Sequence, residues 1–155
     1  MNSQQAQKQL QKYIYDIAYK TELHQADSLI LIDLNQTFKH LINAEKIRLN
    51  KSSEMKSKII KSLLDILIGY NNPRLNILGI RYFNKENRIE DSYKLSIYAL
   101  ESHQEIDQEL ISETAHLLAN LDFDSSSNDR MAEKRFGTKK ELQAFKKAYL
   151  KAKKR

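Results

Sequence analysis

The sequence predicts an all-α protein, a compact bundle of about five to six helices followed by a basic helical tail. Its 155 residues contain only 3 Gly and 1 Pro, too few punctuators for a sandwich or barrel of many short strands. Apolar residues recur at the three- and four-residue spacing of a helix face along most of the chain. Hydrophobic residues at 41% and charged residues at 30% place it among chains that fold rather than disordered ones, at the size of one ordinary domain.

The elements follow in order. Residues 3–23 carry Ala6, Leu10, Tyr13, Ile14, Ile17 and Ala18 at helical spacing with Gln and Lys between them, which predicts an amphipathic helix. Asp27 or Ser28 can cap a second helix on which Leu31, Leu34, Phe38, Leu41, Ile42 and Ile47 share a face to about Leu49. "LILIDL" at its start would suit a strand if taken alone, but the pattern after it keeps the helical period. A third helix, capped by Ser52 or Ser53, turns Met55, Ile59, Ile60, Leu63, Leu64 and Leu67 inward, and Gly69 suits its C-terminal end. As the most apolar segment it is expected to be central.

"YNNPR" is the clearest break, with Asn72 as an N-cap and Pro73 in the first helical position. Two readings compete for the stretch after it. Tyr93, Leu95, Ile97 and Ala99 alternate as in a strand, and Ile80 with Tyr82 does the same, so a small β-hairpin around 80–99 turning in "NKENRIED" is one option. Helices are favoured, because that turn lacks Gly and Tyr93, Ile97 and Leu100 serve a helix face equally well. From Gln104 to Leu121, Ile106, Leu110, Leu117, Leu118 and Leu121 predict a further helix with Glu105, Asp107 and Glu109 in its first turns, where the helix dipole favours acids. "DFDSSSND" then turns abruptly polar, which divides the chain into a bundle over 1–121, a linker over 122–129 and a tail over 130–155.

The net charge of +6 is unevenly distributed. From Arg130 onward there are eleven Lys and Arg against two acids, a balance of +9, while the first 129 residues hold 15 bases and 18 acids, a balance of −3. The tail has helical grammar: Ser127 or Asn128 can cap "DRMAEKRF", Gly137 can end it, and Thr138 with Glu141 has capping-box spacing for a helix to about Lys153. The bases Arg130, Lys134, Arg135, Lys139, Lys140, Lys146, Lys147, Lys151, Lys153, Lys154 and Arg155 are the candidate nucleic-acid-binding residues. Lys outnumbers Arg 8 to 3 among them. Bidentate base reading is mostly Arg work, so phosphate contact with little sequence specificity to DNA or RNA is expected. Leu142, Phe145 and Tyr149 form a narrow apolar stripe that could instead dock on a protein partner, the lysines then being a solvated face. A transport signal and a merely soluble end also fit. The stripe is too thin for a membrane surface, and no apolar run approaches the roughly 18–20 residues of a membrane span.

Signatures of chemistry are absent. There is no Cys, which removes disulfides, thiolate metal sites and cysteine nucleophiles, and no phosphate-binding glycine loop, nucleophile elbow or H-E-x-x-H occurs. Glu113 and His116 have an i,i+3 metal-ligand spacing but lack the second pair that a di-iron bundle needs. Asp16, Asp33 and Asp65 lie in apolar stretches; Asp65 has Lys61 at i−4 as a neutralising partner. The tyrosines are expected in the core and its rim rather than stacked on bases. Helices over 53–68 and 73–83 could form a helix-turn-helix reading through Arg74 and Arg81, but the second is rich in Leu, Ile and Phe and poor in polar residues. The N-terminus has neither the apolar core of a signal peptide nor the look of a transit peptide. The sequence therefore predicts a non-enzymatic intracellular protein, cytoplasmic or nuclear, without a cofactor, that binds nucleic acid or serves as a helical adaptor subunit of a larger complex.

Overall fold

The computed structural model describes residues 2–102 together with Lys147, Leu150 and Lys151. All regular structure in this range is helical: α1 (Ser3–Leu29), α2 (Leu34–Lys51), α3 (Leu63–Tyr70), α4 (Pro73–Lys85) and α5 (Ile89–Ser102). The chain divides into two compact units between Ile66 and Leu67, within α3. Nothing in the composition marks that point.

In the first unit α1 and α2 form a helical hairpin. Asn2 opens α1 with a capping box, its Oδ1 accepting from the Gln5 amide at 2.8 Å while Gln5 Oε1 accepts from the Asn2 amide at 3.2 Å. The expected cap at Asp27 or Ser28 is not used, because α1 runs through both to Leu29. Asp33 caps α2 instead, its carboxylate accepting from the Gln36 amide at 3.2 Å, so "LILIDL" is the turn between helices rather than the start of one. Ala26 and Ala44 are fully buried between the helices, and the buried Thr37 hydroxyl donates to the Ala26 carbonyl at 3.2 Å. Small residues at these two levels allow close approach, and the Thr37 bond ties the helices together at the closed end.

The predicted third helix over 53–68 is the main departure. Only its last part is helical, and residues 52–62 run without regular structure. Side chains of the hairpin supply the hydrogen bonds that a helix would have made internally. Asp16 Oδ1 accepts from the Lys56 amide at 3.1 Å, the Tyr19 hydroxyl bonds both the amide and the carbonyl of Lys61, and Glu45 Oε2 accepts from the Leu63 amide at 2.9 Å. Met55 is buried with Tyr19 and Ala44, and Tyr15, Leu23, Ile47 and Ile60 close around them. Ile59, expected inside, is 77% exposed. Asp65 is exposed and Lys61 precedes α3, so the helical i−4 pairing expected for them does not form.

The second unit is built on Leu67 of α3 with α4 and α5. Asn72 caps α4, accepting from the Leu75 amide at 3.1 Å with Pro73 in the first turn, as the sequence indicates. The stretch 80–99 lies in α4, a short turn and α5, and the alternation at Tyr93, Leu95, Ile97 and Ala99 falls inside α5. Asn87, at φ 57°, ends α4: its amide donates to Asn84 O at 3.1 Å and the Arg88 amide donates to Phe83 O at 2.7 Å, which is the Schellman pattern. Asn71, at φ 50°, ends α3 with its amide donating to Leu67 O at 3.2 Å. Both take the left-handed role expected of glycine, Gly69 being inside α3. Gly79 has a different reason to be glycine: a Cβ there would lie 2.5 Å from Leu67 Cδ1 and 2.8 Å from Leu95 Cδ2, both side chains being fully buried.

Candidate interaction surfaces

Among the described residues, several large apolar side chains of the first unit are left exposed. On α1, Tyr19 and Ala26 are buried towards α2, and Tyr15 and Leu23 pack beside them. At about 3.6 residues per turn, Leu10, Tyr13, Ile14 and Ile17 fall on the opposite side of the helix. They are 61%, 53%, 52% and 60% exposed. The face on which the sequence reading centred is therefore the outer one, and a second face of α1 makes the core. The sequence signal for it is present in Tyr15, Tyr19, Leu23 and Ala26, but the buried Asp16 breaks up its pattern.

A second exposed cluster sits at the tip of the hairpin, where Leu31 is 95% and Ile32 is 78% exposed. Leu31 was expected to face inward on α2; placed in the turn, it cannot. The edge of the first unit near Tyr13 and Tyr15 is cationic, with Lys56 Nζ 4.2 Å above the Tyr13 ring and Lys51 Nζ 5.4 Å above that of Tyr15.

Ionisable groups in the interior are held structurally. Glu45 is fully buried and takes a two-pronged contact from Arg48, Nε to Oε2 at 3.0 Å and a terminal nitrogen to Oε1 at 2.8 Å, besides the Leu63 amide. This is the buried acid that the sequence reading missed. Arg48 at i+3 was the available sign, hidden because Glu45 interrupts no apolar run. Asp16 is buried on the Lys56 amide, and Asp33 is a helix cap. His40 Nδ1 lies 2.6 Å from Glu22 Oε2 across α1 and α2. Burial pushes the Tyr19 phenol above its ordinary value; the Lys61 backbone bond works against the rise and the Glu45 charge adds to it. Burial alone raises Tyr93. Among the described residues no three His, Asp or Glu side chains gather as a metal site, and no helix is long and apolar enough to cross a membrane.

Arg74 and Arg81 are both exposed on α4. Of the candidate nucleic-acid-binding residues, Lys147 and Lys151 are described: both are helical and exposed, and their i,i+4 spacing places them on one side of a helix. Arg130, Lys134, Arg135, Lys139, Lys140, Lys146, Lys153, Lys154 and Arg155 lie outside the described residues, as do Leu142, Phe145 and Tyr149, the pair Glu113 and His116, the expected helix over 104–121 and the linker. Compared with protein-family models, curated proteins and solved structures, the chain matches none.

Proposed function

We propose that the chain is a small non-enzymatic accessory protein that binds nucleic acid electrostatically through its basic C-terminal segment, inside the cell in the cytoplasm or nucleus. The observation that carries this reading is the partition of charge, +9 after residue 129 against −3 before it. The exposed helical pair Lys147 and Lys151 is consistent with a cationic helix surface. A Lys-rich helix neutralises phosphates as point charges, releasing counterions with a salt slope of roughly 0.9 per phosphate contact on duplex DNA. Fluorescence anisotropy with a labelled generic duplex and a labelled single strand tests it. Affinity should fall steeply between low and moderate salt, and changing Lys139, Lys140, Lys146, Lys147, Lys151, Lys153 and Lys154 together to Gln should abolish it. Undiminished binding by that variant would refute the reading.

The second reading is a helical adaptor subunit of a larger complex whose tail docks on a protein through Leu142, Phe145 and Tyr149. The uncovered apolar side chains of the first unit favour an assembly role in general. Under it, Phe145→Ala with Tyr149→Ala breaks a specific association that the lysine-to-glutamine series leaves intact.

A further inference from the structure

We propose that the open end of the α1–α2 hairpin is a second nucleic-acid contact, where Lys8, Lys12, Lys51 and Lys56 hold the phosphates of a single strand and the Tyr13 ring receives a base. The inference rests on the reading that nucleic acid is the ligand, and it assigns part of the binding to the first unit rather than to the tail.

The acidic balance of residues 1–129 conceals a polarised hairpin. Residues 2–20 and 46–62, its open half with the segment fastened to it, hold nine Lys and Arg against two acids, Asp16 and Glu54. Residues 21–45, around the closed end, hold one Lys and four acids. Asp16 is buried on the Lys56 amide, and Glu54, which accepts from the Ser53 hydroxyl at 2.9 Å, is one charge against the lysines. Among the described residues Lys8, Lys12, Lys51 and Lys56 take part in no ion pair. Two of them lie over aromatic rings instead, Lys51 Nζ 5.4 Å from that of Tyr15 and Lys56 Nζ 4.2 Å from that of Tyr13.

The hairpin gathers these charges because its helices end at different levels. α2 stops at Lys51, beside Tyr15, and α1 continues past it for about three turns to Ser3. On this overhang Lys8 and Lys12, in an i,i+4 row with Asp16, continue the side of α1 that further along faces α2. Beyond the end of α2 that side carries charge instead of a core. At about 100° per residue Lys12 falls between Tyr15 and Tyr13 around the helix. The Lys51 ammonium therefore stands on one flank of it and the Lys56 ammonium on the other, and with Lys8 they form an arc at the step between the helices.

The arc selects its occupant. A flexible polyanion can follow it, whereas a bilayer cannot: Lys8 and Lys12 stand on the side of α1 away from Leu10, Ile14 and Ile17, and an anionic membrane needs basic and apolar groups on one plane. An acidic peptide would use the lysines but leave the aromatic ring idle. Tyr13 is 53% exposed beside them, and a ring set in a cationic track is how single strands are held without sequence reading.

The test uses the nuclease-treated full-length protein, labelled thymidine and uridine oligonucleotides, a labelled duplex, and anisotropy over a salt series. Changing Lys8, Lys12, Lys51 and Lys56 together to Gln should weaken single-strand binding at least tenfold and reduce the salt slope by about 2 to 3, at roughly 0.7 per phosphate contact. The same four residues changed to Arg should bind as wild type does. Tyr13→Leu should weaken the single-strand complex at least fivefold and leave the duplex complex unchanged. Circular dichroism should show unaltered helicity; if the Gln variant loses it, Lys8→Gln with Lys12→Gln, on the overhang, carries the test at about half the slope change. A wild type that binds no single strand, a Gln variant with wild-type affinity and slope, or an Arg variant as weak as the Gln variant would each overturn the proposal. So would displacement of the oligonucleotide by polyglutamate or phosphatidylserine vesicles as effective, at equal charge, as by unlabelled oligonucleotide. The tail reading fails by a different result, undiminished binding when the tail lysines are changed to Gln, so the two failures are distinguishable.

Discussion

The Tyr19 hydroxyl holds both polar groups of one distant residue, donating to the Lys61 carbonyl at 2.8 Å and accepting from the Lys61 amide at 3.0 Å. With Asp16 on the Lys56 amide and Glu45 on the Leu63 amide, it fastens a segment without regular structure along the α1–α2 hairpin. Tyr19→Phe keeps the ring in the core and removes only the hydroxyl, leaving the amide and carbonyl without these partners. The expected cost is about 1–3 kcal/mol. Urea unfolding followed by circular dichroism should show a lower midpoint at nearly constant slope, and an unchanged midpoint would mean that the segment is held by its apolar contacts alone.

The same tyrosine sets a direction for alkaline stability. Its phenol is raised above the ordinary value of about 10 by burial, so the folded state holds the proton more tightly than the unfolded state does. The associated stability is fully present below about pH 10, where both states are protonated, and is lost as pH rises through the folded value. Tyr93 acts in the same direction through burial. A series of unfolding curves from neutral to alkaline pH should decline above about pH 10. Tyr19→Phe should begin from a lower value and decline less.

What the sequence made legible is what local chemistry decides. Asn72 with Pro73 marked the start of α4, because a cap and a preset φ act within one turn. Residues 52–62 were illegible for the opposite reason: Met55, Ile60 and Leu63 have helical spacing, but the hydrogen-bond partners come from Asp16, Tyr19 and Glu45, up to 42 residues away. The turn between α4 and α5 was obscured because Asn87 does what glycine usually does, leaving the low Gly count to argue for helices without marking their ends. On α1 the period announced an apolar face but not which of two faces would be covered. The eleven bases from Arg130 to Arg155 were visible as composition, and of these Lys147 and Lys151 have a described place, exposed and helical.

Asn87 makes the left-handed cap testable. Asn87→Gly removes the residual strain of a side chain at φ 57° and should be neutral or stabilising by a few tenths of a kcal/mol, whereas Asn87→Val should cost about 1–2 kcal/mol. Asn71 should behave differently although its φ is similar. Its Oδ1 accepts from the Tyr98 hydroxyl at 2.9 Å, so Asn71→Gly trades backbone relief for a lost bond and should not stabilise. Thermal melts of the three variants beside wild type measure these differences.

Gly79→Ala opposes two effects of known size. Alanine is the better helix former by about 1 kcal/mol, but its methyl would sit 2.5 Å from Leu67 Cδ1 and 2.8 Å from Leu95 Cδ2. Both leucines are fully buried and cannot swing into solvent. Overpacking of this kind costs about 1–3 kcal/mol, so net destabilisation is expected. A chemical melt showing Gly79→Ala more stable than wild type would mean that the leucines repack without cost.

Two serines one turn apart on α5 should respond differently to alanine. Both are fully buried, but Ser96 Oγ donates to the Ser92 carbonyl at 2.8 Å, while Ser92 Oγ has no hydrogen-bond partner. An unsatisfied buried hydroxyl costs about 1–3 kcal/mol. Ser92→Ala relieves that cost, adds helix propensity and removes only one small atom from the packing, so it should stabilise by about 1 kcal/mol. Ser96→Ala gains the same propensity but gives up a formed bond, and should fall near neutral. Equilibrium unfolding of the two single variants and the double decides the matter: a stabilisation by Ser92→Ala no larger than that by Ser96→Ala would show that the Ser92 hydroxyl is satisfied in solution.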